Sequence, residues 1–438
     1  MIVIQNILAP LEKQFSTTKL GRLRAQWFSH VLLACIVPFT SSISSNLLRA
    51  LVHLFGVDVD RRRFYTFIAS SKLPWDKLWS ALWHVIPEPT TDGRLIMALD
   101  DFINPKVGKK IFACSRVHDH AAKANQTKYP WAQCVTSVGL LKRIKGRWAC
   151  MPLAHRFYLP KKIIDKQSES LQFKTKLEQS VEMICAIAAS FSGMPILAVC
   201  DSWFGNNGLL APARKELGDC FQILSRLRAN IALFDKPGAR TPGQRGRNRK
   251  YGARLGSTKE VAAACRDQAT TLSVFLYGKT REVTAYSTVV LVQSLRCPVR
   301  VVFVYRRNSF VALFSTDLTL SDQQIIEFYG ARWKIESGFK EIKRDIGASQ
   351  SQMRNKQSVE NHLNFCMMAT TVTWLYADRF EHTPERRHMI RGRSSFAFSD
   401  IRHIIAKVVL SNDFQALCPK QAKPTKNIAV DTLLRMVA

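Results

Sequence analysis

The sequence is poor in acidic residues. It contains 33 Asp and Glu against 64 Lys and Arg, which gives a formal net charge of +31 over 438 residues. Hydrophobic residues still make up 47 % of the chain, so we expect a folded core and not an intrinsically disordered protein. A chain this basic is typical of proteins that bind nucleic acids or anionic membranes. The 9 Trp and 25 Phe argue against a short, Lys-rich packing protein of the histone kind.

Long hydrophobic runs and paired cysteines are also missing. The longest apolar run, residues 31–39, is far shorter than the roughly 20 residues that a membrane-spanning helix needs. The 11 cysteines are scattered singly, and none forms a Cys-x-x-Cys pair. This pattern is typical of reduced thiols in the cytosol and not of a disulfide framework. We therefore expect no membrane partner and a cytoplasmic location.

Residues 1–93 are predicted to form short helices, because apolar residues recur at helical spacing in three segments after residue 45. Two interpretations stay open for these helices. One is a DNA-binding domain resembling a helix-turn-helix module, in which Arg61, Arg62 and Arg63 contact phosphates. The other is a helical bundle with a solvated basic face.

The pattern changes at residue 94. Residues 94–102 and 195–200 are short apolar runs that lead into aspartates, and predicted helices alternate with the predicted strands. This alternation predicts an α/β core whose first part covers residues 94–228. A second part, residues 321–380, is predicted to begin with a long helix that runs from Ser321 through Lys343.

A β-rich insertion is predicted between the two parts of the core, at residues 229–320. Alternating runs within 271–314 predict antiparallel strands. Residues 236–254 contain seven Lys and Arg and no acid, which predicts a flexible basic loop. The cations that we assign to DNA contact in this loop are Arg245, Arg247, Arg249 and Lys250. Residues 381–438 form a basic C-terminal segment with weak periodicity.

Three carboxylates interrupt the basic background. Asp100 and Asp201 end predicted core strands, and Glu336 lies in the long helix of the second part. A lone aspartate at a strand end is most often a cap or a turn residue. Together, however, three acids near the open edge of an α/β sheet repel one another unless cations share the site. Hard oxygen ligands suit Mg²⁺, and two such ions can activate a water and stabilise a leaving oxygen.

The helix that contains Glu336 carries further polar residues on one face. With Glu336 they follow the helical repeat, and they are Tyr329, Arg332, Lys340 and Lys343. An arginine fork, lysine charges and a phenol suit the binding of a phosphodiester. The alternative is a solvated face supported by a Glu336–Lys340 pair. The residues expected in the core on the opposite side are Ile325, Phe328, Trp333, Ile335, Phe339 and Ile342.

The spacing Tyr329-x2-Arg332-x3-Glu336-x6-Lys343 resembles the YREK signature of the insertion-sequence-four family of DDE transposases. Asp100 in LIMALDD and Asp201 in ILAVCDSWFGN look like the first two acids of that family's triad. The β-like sequence between the second and third acids is similar to the family's β insertion. The resemblance covers roughly residues 94–380.

This resemblance implies an RNase H-like mixed sheet flanked by helices, with the β-rich insertion and a helical N-terminal domain. It also implies cut-and-paste transposition, in which hydrolysis at the element ends frees a 3′-OH that attacks target DNA. Asp100, Asp201 and Glu336 would bind two Mg²⁺ or Mn²⁺ ions, with no small-molecule cofactor. The implied partners are terminal inverted repeats, target DNA and a second copy of the chain in a homodimer, in the cytoplasm near the bacterial nucleoid.

Several alternatives remain open beside this resemblance. The family commonly has Thr two residues after its first acid, where this chain has Phe102, so Asp101 competes with Asp100 for that role. We prefer Asp100 because its spacing to Phe102 mirrors the family pattern. Relatives can stack a flipped base on a Trp of the insertion, whereas this chain has no Trp between Trp203 and Trp333, which leaves a hairpin intermediate open. A non-catalytic, domesticated DNA-binding protein and a structure-specific nuclease are the alternative functions.

Overall fold

A twelve-stranded mixed sheet forms the centre of the part of the chain that the computed structural model describes, residues 2–120, 122–167, 172–239, 246–388, 390–391 and 395–411. Arg245 and residues 412–438 of the predicted C-terminal segment lie outside the described residues. The strands in chain order are β1 (Leu95–Pro105), β2 (Cys114–Arg116), β3 (Trp131–Ile144), β4 (Arg147–Tyr158), β5 (Ile196–Cys200), β6 (Phe221–Arg226), β7 (Ala232–Phe234), β8 (Arg254–Ser257), β9 (Thr270–Leu276), β10 (Lys279–Val292), β11 (Cys297–Arg306) and β12 (Ser309–Ser315).

Thirteen α-helices surround this sheet in the described ranges. They are α1 (Ile2–Glu12), α2 (Lys19–Ile36), α3 (Ser44–Arg49), α4 (Arg61–Ile68), α5 (Trp75–His84), α6 (Lys161–Gln167), α7 (Lys176–Ser190), α8 (Asn207–Leu217), α9 (Thr258–Ala264), α10 (Asp322–Ala331), α11 (Trp333–Lys340), α12 (Lys356–Arg379) and α13 (Phe398–Val409). Two short π-helical segments, Ala50–Leu54 and Glu341–Asp345, continue α3 and α11. No helix among these described elements is long and apolar enough to cross a membrane.

Five strands have the arrangement of an RNase H-like core. Their spatial order is β4-β3-β1-β5-β6, with antiparallel pairing from β4 to β1 and parallel pairing from β1 to β6. Helices α7 and α8 lie in the crossover connections that the parallel strands require. All five residues of β5 are buried, as expected for a central parallel strand covered on both faces. The predicted α/β fold class is confirmed.

The strands of the predicted insertion extend this core sheet. β12 pairs antiparallel with β6, and β11, β10, β7 and β8 follow in that order. The alternating runs predicted within 271–314 correspond to β9, β10, β11 and β12. The last of these runs is divided by a turn between Arg306 and Ser309. The insertion therefore continues the edge of the sheet beside β6.

The N-terminal helices pack on the same hydrophobic core as the sheet. Phe365 of α12 contacts Phe28 of α2 at 5.4 Å and Trp75 of α5 at 5.0 Å between ring centres. The indole N–H of Trp75 also donates to Oδ1 of Asn361 at 2.7 Å. The three predicted helical segments are present, as α3 with its π-helical continuation, α4 and α5. Because α2 and α5 share buried contacts with α12, the N-terminal helices and the sheet belong to one hydrophobic core.

The helix predicted from Ser321 through Lys343 is broken into segments. The predicted start is correct, since Ser321 caps α10 and its Oγ accepts from the Gln324 N–H at 3.1 Å. The α-helix is interrupted at Arg332, and Lys343 lies in the π-helical segment. Trp333 is 55 % exposed, so its placement in the core was wrong. At about 100° per residue, Trp333 lies roughly 160° around the helix from Ile335 and cannot share its buried side.

Candidate active site at the ends of strands β1 and β5

Asp100 and Asp201 lie side by side where the parallel pairing of β1 with β5 ends. Asp201 follows β5, whereas β1 continues to Pro105, so the prediction that Asp100 ends its strand was wrong. The register pairs Leu99 of β1 with Cys200 of β5, so the next residue of each chain segment is an aspartate. Neighbouring strands are about 4.8 Å apart, which brings the two side chains to one edge of the sheet. Oδ1 of Asp201 accepts from the backbone N–H groups of Trp203 at 2.9 Å and Phe204 at 3.1 Å. Asp201 is thus both a turn residue and a member of this cluster.

Arg332 joins the first and third predicted acids. Its Nη1 lies 3.1 Å from Oδ2 of Asp100, and its Nη2 lies 2.9 Å from Oε1 of Glu336. The Arg332 side chain is 12 % exposed, against 18 % for Asp100 and 34 % for Glu336. Arg332 occupies the junction between α10 and α11, from which its fork reaches both carboxylates. The positive charge of one guanidinium therefore offsets the negative charges of two partly buried carboxylates.

Burial sets the protonation of Asp100. It raises the pKa of this carboxyl to about 7, against the opposing effects of Arg332 and of the Asp101 backbone N–H. The negative charges of Asp201 and Asp101 raise the pKa of Asp100 further. For Arg332, burial lowers the pKa, but Tyr329, Asp100 and Glu336 outweigh it and the pKa is raised. The guanidinium stays charged, while Asp100 is close to the midpoint of its titration at neutral pH.

Asp101, the competing candidate for the first acid, lies on the other face of the sheet. Its Oδ2 is 2.9 Å from Nζ of Lys176 and accepts from the thiol of Cys134 at 3.3 Å. Successive side chains of a strand point to opposite faces, so Asp100 and Asp101 cannot serve the same cluster. The structure places Asp100, and not Asp101, beside Arg332. The catalytic role of Asp100 remains a prediction.

The other predicted residues of the helix face lie around Asp100. Nζ of Lys343 is 5.6 Å from the ring centre of Phe102, two residues after Asp100, and burial lowers the pKa of Lys343. The guanidinium of Arg332 is 5.8 Å from the ring centre of Tyr329. Lys340 is exposed at the end of α11. Arg332 thus contacts the acidic cluster directly, and Tyr329 and Lys343 lie beside Arg332 and Phe102, respectively.

The remaining predicted DNA-binding cations are exposed and lie elsewhere on the surface. Two groups share this property, namely Arg61, Arg62 and Arg63 at the start of α4, and Arg247, Arg249 and Lys250 between β7 and β8. In the described structure, none of these six residues forms an ion pair with the three acids. Their exposure leaves them accessible to a phosphate backbone.

The donor atoms of the cluster fit a divalent cation, although the three acids are not gathered around one point. Within the described ranges, no group of three or more His, Cys, Asp and Glu lies close enough to hold a metal ion. Asp100 and Asp201 supply adjacent carboxylates, which are hard ligands of the kind that Mg²⁺ and Mn²⁺ prefer. Glu336 instead contacts Arg332. Arg332 pairs with Asp100 as well as with Glu336, so the ligand role of the three acids stays a prediction.

The sequence reasoning passed over Trp203, in the turn after β5, and Lys176, which pairs with Asp101 on the other face of the sheet. Trp203 follows Asp201 by two residues and is 46 % exposed. Nζ of Lys176 lies 5.6 Å from the centre of its ring. The position of Trp203 next to a predicted catalytic acid was a signal available in the sequence. Lys176 carries no such signal, because only the packing of α7 on β3 and β4 brings it to Asp101.

Two family models match the chain. One, described as DDE superfamily endonuclease, covers residues 17–284, and the other, described as archaeal putative transposase ISC1217, covers residues 282–377. The first match contains Asp100 and Asp201, and the second contains Glu336. A search of curated proteins finds no match.

Proposed function

Since the chain belongs to the DDE superfamily endonuclease family, we propose that it is a transposase that moves a DNA element by cut-and-paste transposition. Both family matches support a transposase function. The observation that carries the more specific proposal is the placement of Asp100 beside Asp201, with Arg332 bridging from Asp100 to Glu336. The YREK-like spacing of the helix supports an insertion-sequence-four type of enzyme.

We assign the binding of two Mg²⁺ or Mn²⁺ ions to Asp100, Asp201 and Glu336. Endonucleases of this superfamily generally use divalent metals. When bound, the cations would supply the Lewis acidity that activates a water and stabilises the leaving oxygen of an in-line displacement. A bound cation would favour the ionised form of Asp100 and so oppose the burial that raises the pKa of this carboxyl to about 7. Glu336 becomes available as a ligand once Arg332 releases it.

We assign the binding of the cleaved strand to Tyr329, Arg332 and Lys343. An arginine fork fits two phosphate oxygens as well as it fits a carboxylate. On DNA binding, Arg332 would exchange its carboxylate contacts for a phosphodiester near the site of cleavage, while Lys343 adds a point charge and Tyr329 a hydroxyl donor.

The exposed cations at the start of α4 and between β7 and β8 are proposed to bind the duplex at some distance from the acids. Their contacts would position the DNA without reading its sequence. The recognised DNA would be the terminal inverted repeats and the target site. Since two ends must be held together, a homodimer is the proposed assembly.

Replacing Glu336 tests the proposal most directly. Glu336→Gln removes the negative charge and keeps the size, so cleavage of the element's terminal DNA in Mg²⁺ should be lost. Binding of the same DNA should stay within about twofold of the wild type, because phosphates and not carboxylates dominate affinity. Glu282→Gln, an exposed glutamate in β10, is the matched control and should cleave normally. Nicking of labelled DNA and gel-shift binding are the two measurements.

Other results would contradict the proposal in distinct ways. Normal cleavage by Glu336→Gln would exclude Glu336 as the third acid. End-specific binding by the wild type without metal-dependent nicking would indicate a non-catalytic, domesticated protein. Equal cleavage of branched DNA without element ends would indicate a structure-specific nuclease.

A further inference from the structure

Two connections that flank β2 form a surface rich in exposed cations. One is the turn between β1 and β2, and the other is the hairpin formed by β2 and β3. The exposed cations of this β2 surface are Lys109, Lys110, Arg116, Lys123 and Lys128. None of the five forms an ion pair with another described residue. Since residues 106–131 contain a single acid, Asp119, the β2 surface is strongly positive.

Hydrogen bonds hold the backbone of the β2 surface in place. In the turn, the carbonyl oxygen of Gly108 accepts from the Ile111 N–H at 3.3 Å and from the Trp131 indole at 3.2 Å. In the hairpin, the Asp119 N–H donates to the carbonyl oxygen of Lys128 at 2.8 Å. Cations on an ordered backbone lose less conformational entropy when they bind a ligand than cations on a flexible loop.

The β2 surface lies next to Lys343, the residue proposed to bind the cleaved strand. At the base of the turn, Nζ of Lys106 donates to the backbone oxygens of Ser349 and Ser351 at 2.7 and 2.8 Å, shortly after Lys343 in the chain. Burial lowers the pKa of Lys343, and the negative charge of Asp119 in the hairpin opposes this shift. The hairpin is therefore within electrostatic reach of Lys343.

The strand order places the acidic cluster between two groups of cations. β2 lies two strands from β1 on one side, and β7 and β8 lie beyond β5 on the other side. Pro105, five residues after Asp100, is opposite Ala132 of β3, which also pairs with Ser115 of β2. At about 3.3 Å per residue and about 4.8 Å per strand, the β2 surface begins roughly 20 Å from Asp100. This distance corresponds to about 6 base pairs of B-DNA at about 3.4 Å each.

We infer that the β2 surface binds the backbone of the DNA that flanks the element, beyond the cleaved phosphodiester. The inference rests on the proposed function, in which the cations between β7 and β8 bind the duplex. If the element occupies that side, DNA that crosses the acids continues toward β2 as flanking DNA. Lysine and arginine contacts to phosphates carry no sequence information. Such contacts suit flanking DNA, because its sequence differs from one insertion site to the next.

Binding of DNA probes with flanks of different length tests the inference. The probes are the element's terminal repeat ending at the cleavage point, and the same duplex extended by about 4 or about 12 base pairs of flank, all in EDTA to prevent cleavage. The wild type should bind the longest probe most tightly, because only that flank spans the roughly 6 base pairs to the β2 surface.

The double variant Lys109→Ala/Lys110→Ala should lose the preference for the longest probe. With that probe, its slope of log K against log[salt] should be shallower by about 1–2, since each phosphate contact accounts for about 0.9. Its affinity for the probe without a flank should equal that of the wild type. The corresponding pair of arginine substitutions keeps both charges and should retain the preference.

Two further double variants separate the β2 surface from other lysines. Lys123→Ala/Lys128→Ala removes two cations of the hairpin and should weaken the same preference without a change in the turn. Lys215→Ala/Lys407→Ala removes two exposed lysines of α8 and α13 and should behave as the wild type. Gel-shift titrations at several salt concentrations measure all the variants.

The possible failures are distinguishable. A wild type that cleaves element ends in Mg²⁺ but binds the three probes equally would overturn the inference and leave the proposed function intact. A Lys109→Ala/Lys110→Ala variant that loses the same affinity for every probe would also overturn it, because the β2 surface would then contact the element itself. A wild type that neither binds nor cleaves element ends would contradict the proposed function, and the inference with it.

Discussion

Asp100 and Asp101 are neighbours in β1, yet their surroundings differ on the two faces of the sheet. Each pairs with one cation, Asp100 with Arg332 at 3.1 Å and Asp101 with Lys176 at 2.9 Å. On the Asp101 face, the second contact of the carboxylate is the neutral thiol of Cys134. On the Asp100 face, the same guanidinium must also serve Glu336, and Asp201 adds a third negative charge.

The difference shows why an ion pair alone does not mark a functional site. One acid with one cation is compensated, and such a pair has an ordinary structural role. Three acids with one arginine leave an excess of negative charge at a partly buried place, which is costly to maintain. Burial is the main cause of the raised pKa of Asp100, and the charge of Asp201 raises it further. Bound cations would offset the negative charge of such a cluster in a protein that is otherwise strongly basic.

The comparison predicts opposite outcomes for two adjacent substitutions. Asp100→Asn should abolish DNA cleavage in Mg²⁺, with a loss of at least about 10²–10³-fold, the effect of removing one charge-stabilising group in other enzymes. Asp101→Asn should keep most of the cleavage activity, because it changes only the pair with Lys176. Rates of nicking under single-turnover conditions measure both. Loss of cleavage in Asp101→Asn with normal cleavage in Asp100→Asn would reverse our assignment.

The sequence was sufficient to find the two aspartates at the end of the parallel pairing and the helix that faces them. Asp100 and Asp201 each follow an apolar run, and parallel strands bring their carboxyl ends to one edge. The capping of the helix by Ser321 was also predictable, because Ser followed by Gln three residues later is a helix-start pattern. These features depend on local patterns and on a single rule of topology.

The sequence did not predict that one side chain, Arg332, contacts both Asp100 and Glu336. That Arg332 bridges Asp100 and Glu336 depends on the break between α10 and α11, for which no residue pattern gave a signal. The pairing of Asp101 with Lys176 depends on how α7 packs across the sheet. The contacts of Arg332 with Asp100 and of Lys176 with Asp101 are long-range, because they join elements that are far apart in the sequence. The sequence alone therefore cannot show which of Asp100 and Asp101 lies on the face of β1 toward Arg332.

Substitutions of Arg332 and Lys176 test the roles of the two cations that pair with Asp100 and Asp101. Arg332→Ala should free Asp100 and Glu336, so the metal-free protein should bind Mn²⁺ at least as tightly as the wild type. DNA cleavage should nevertheless fall about 10- to 100-fold, because the variant loses the arginine proposed to bind the phosphodiester, and hydrogen bonds to a charged group contribute about 1.5–3 kcal/mol. Lys176→Ala should leave Mn²⁺ affinity unchanged. Electron paramagnetic resonance of free Mn²⁺ gives the affinities, and weaker binding by Arg332→Ala would show that Arg332 supports the metal site instead of competing with it.

The comparison also predicts a pH dependence of stability. Burial raises the pKa of Asp100 from 3.8 to about 7. Its contribution to the free energy of unfolding is therefore full below pH about 4 and is lost as the pH rises through about 7, because the unfolded chain releases this proton first. In metal-free protein the decline should reach up to about 1.4 kcal/mol per pH unit within that window. Urea unfolding at a series of pH values measures it.

Three changes locate the origin of this decline. Asp100→Asn should remove the part that belongs to the cluster, whereas Asp101→Asn should leave it. Saturating Mg²⁺ should also reduce it, since a bound cation keeps the carboxylate ionised. A residual decline should persist in Asp100→Asn from Glu341, whose pKa burial raises to about 8 against the hydrogen bond from Trp374. If wild type and Asp100→Asn show the same slope, the pKa of Asp100 is not raised in the folded protein and the decline has another origin.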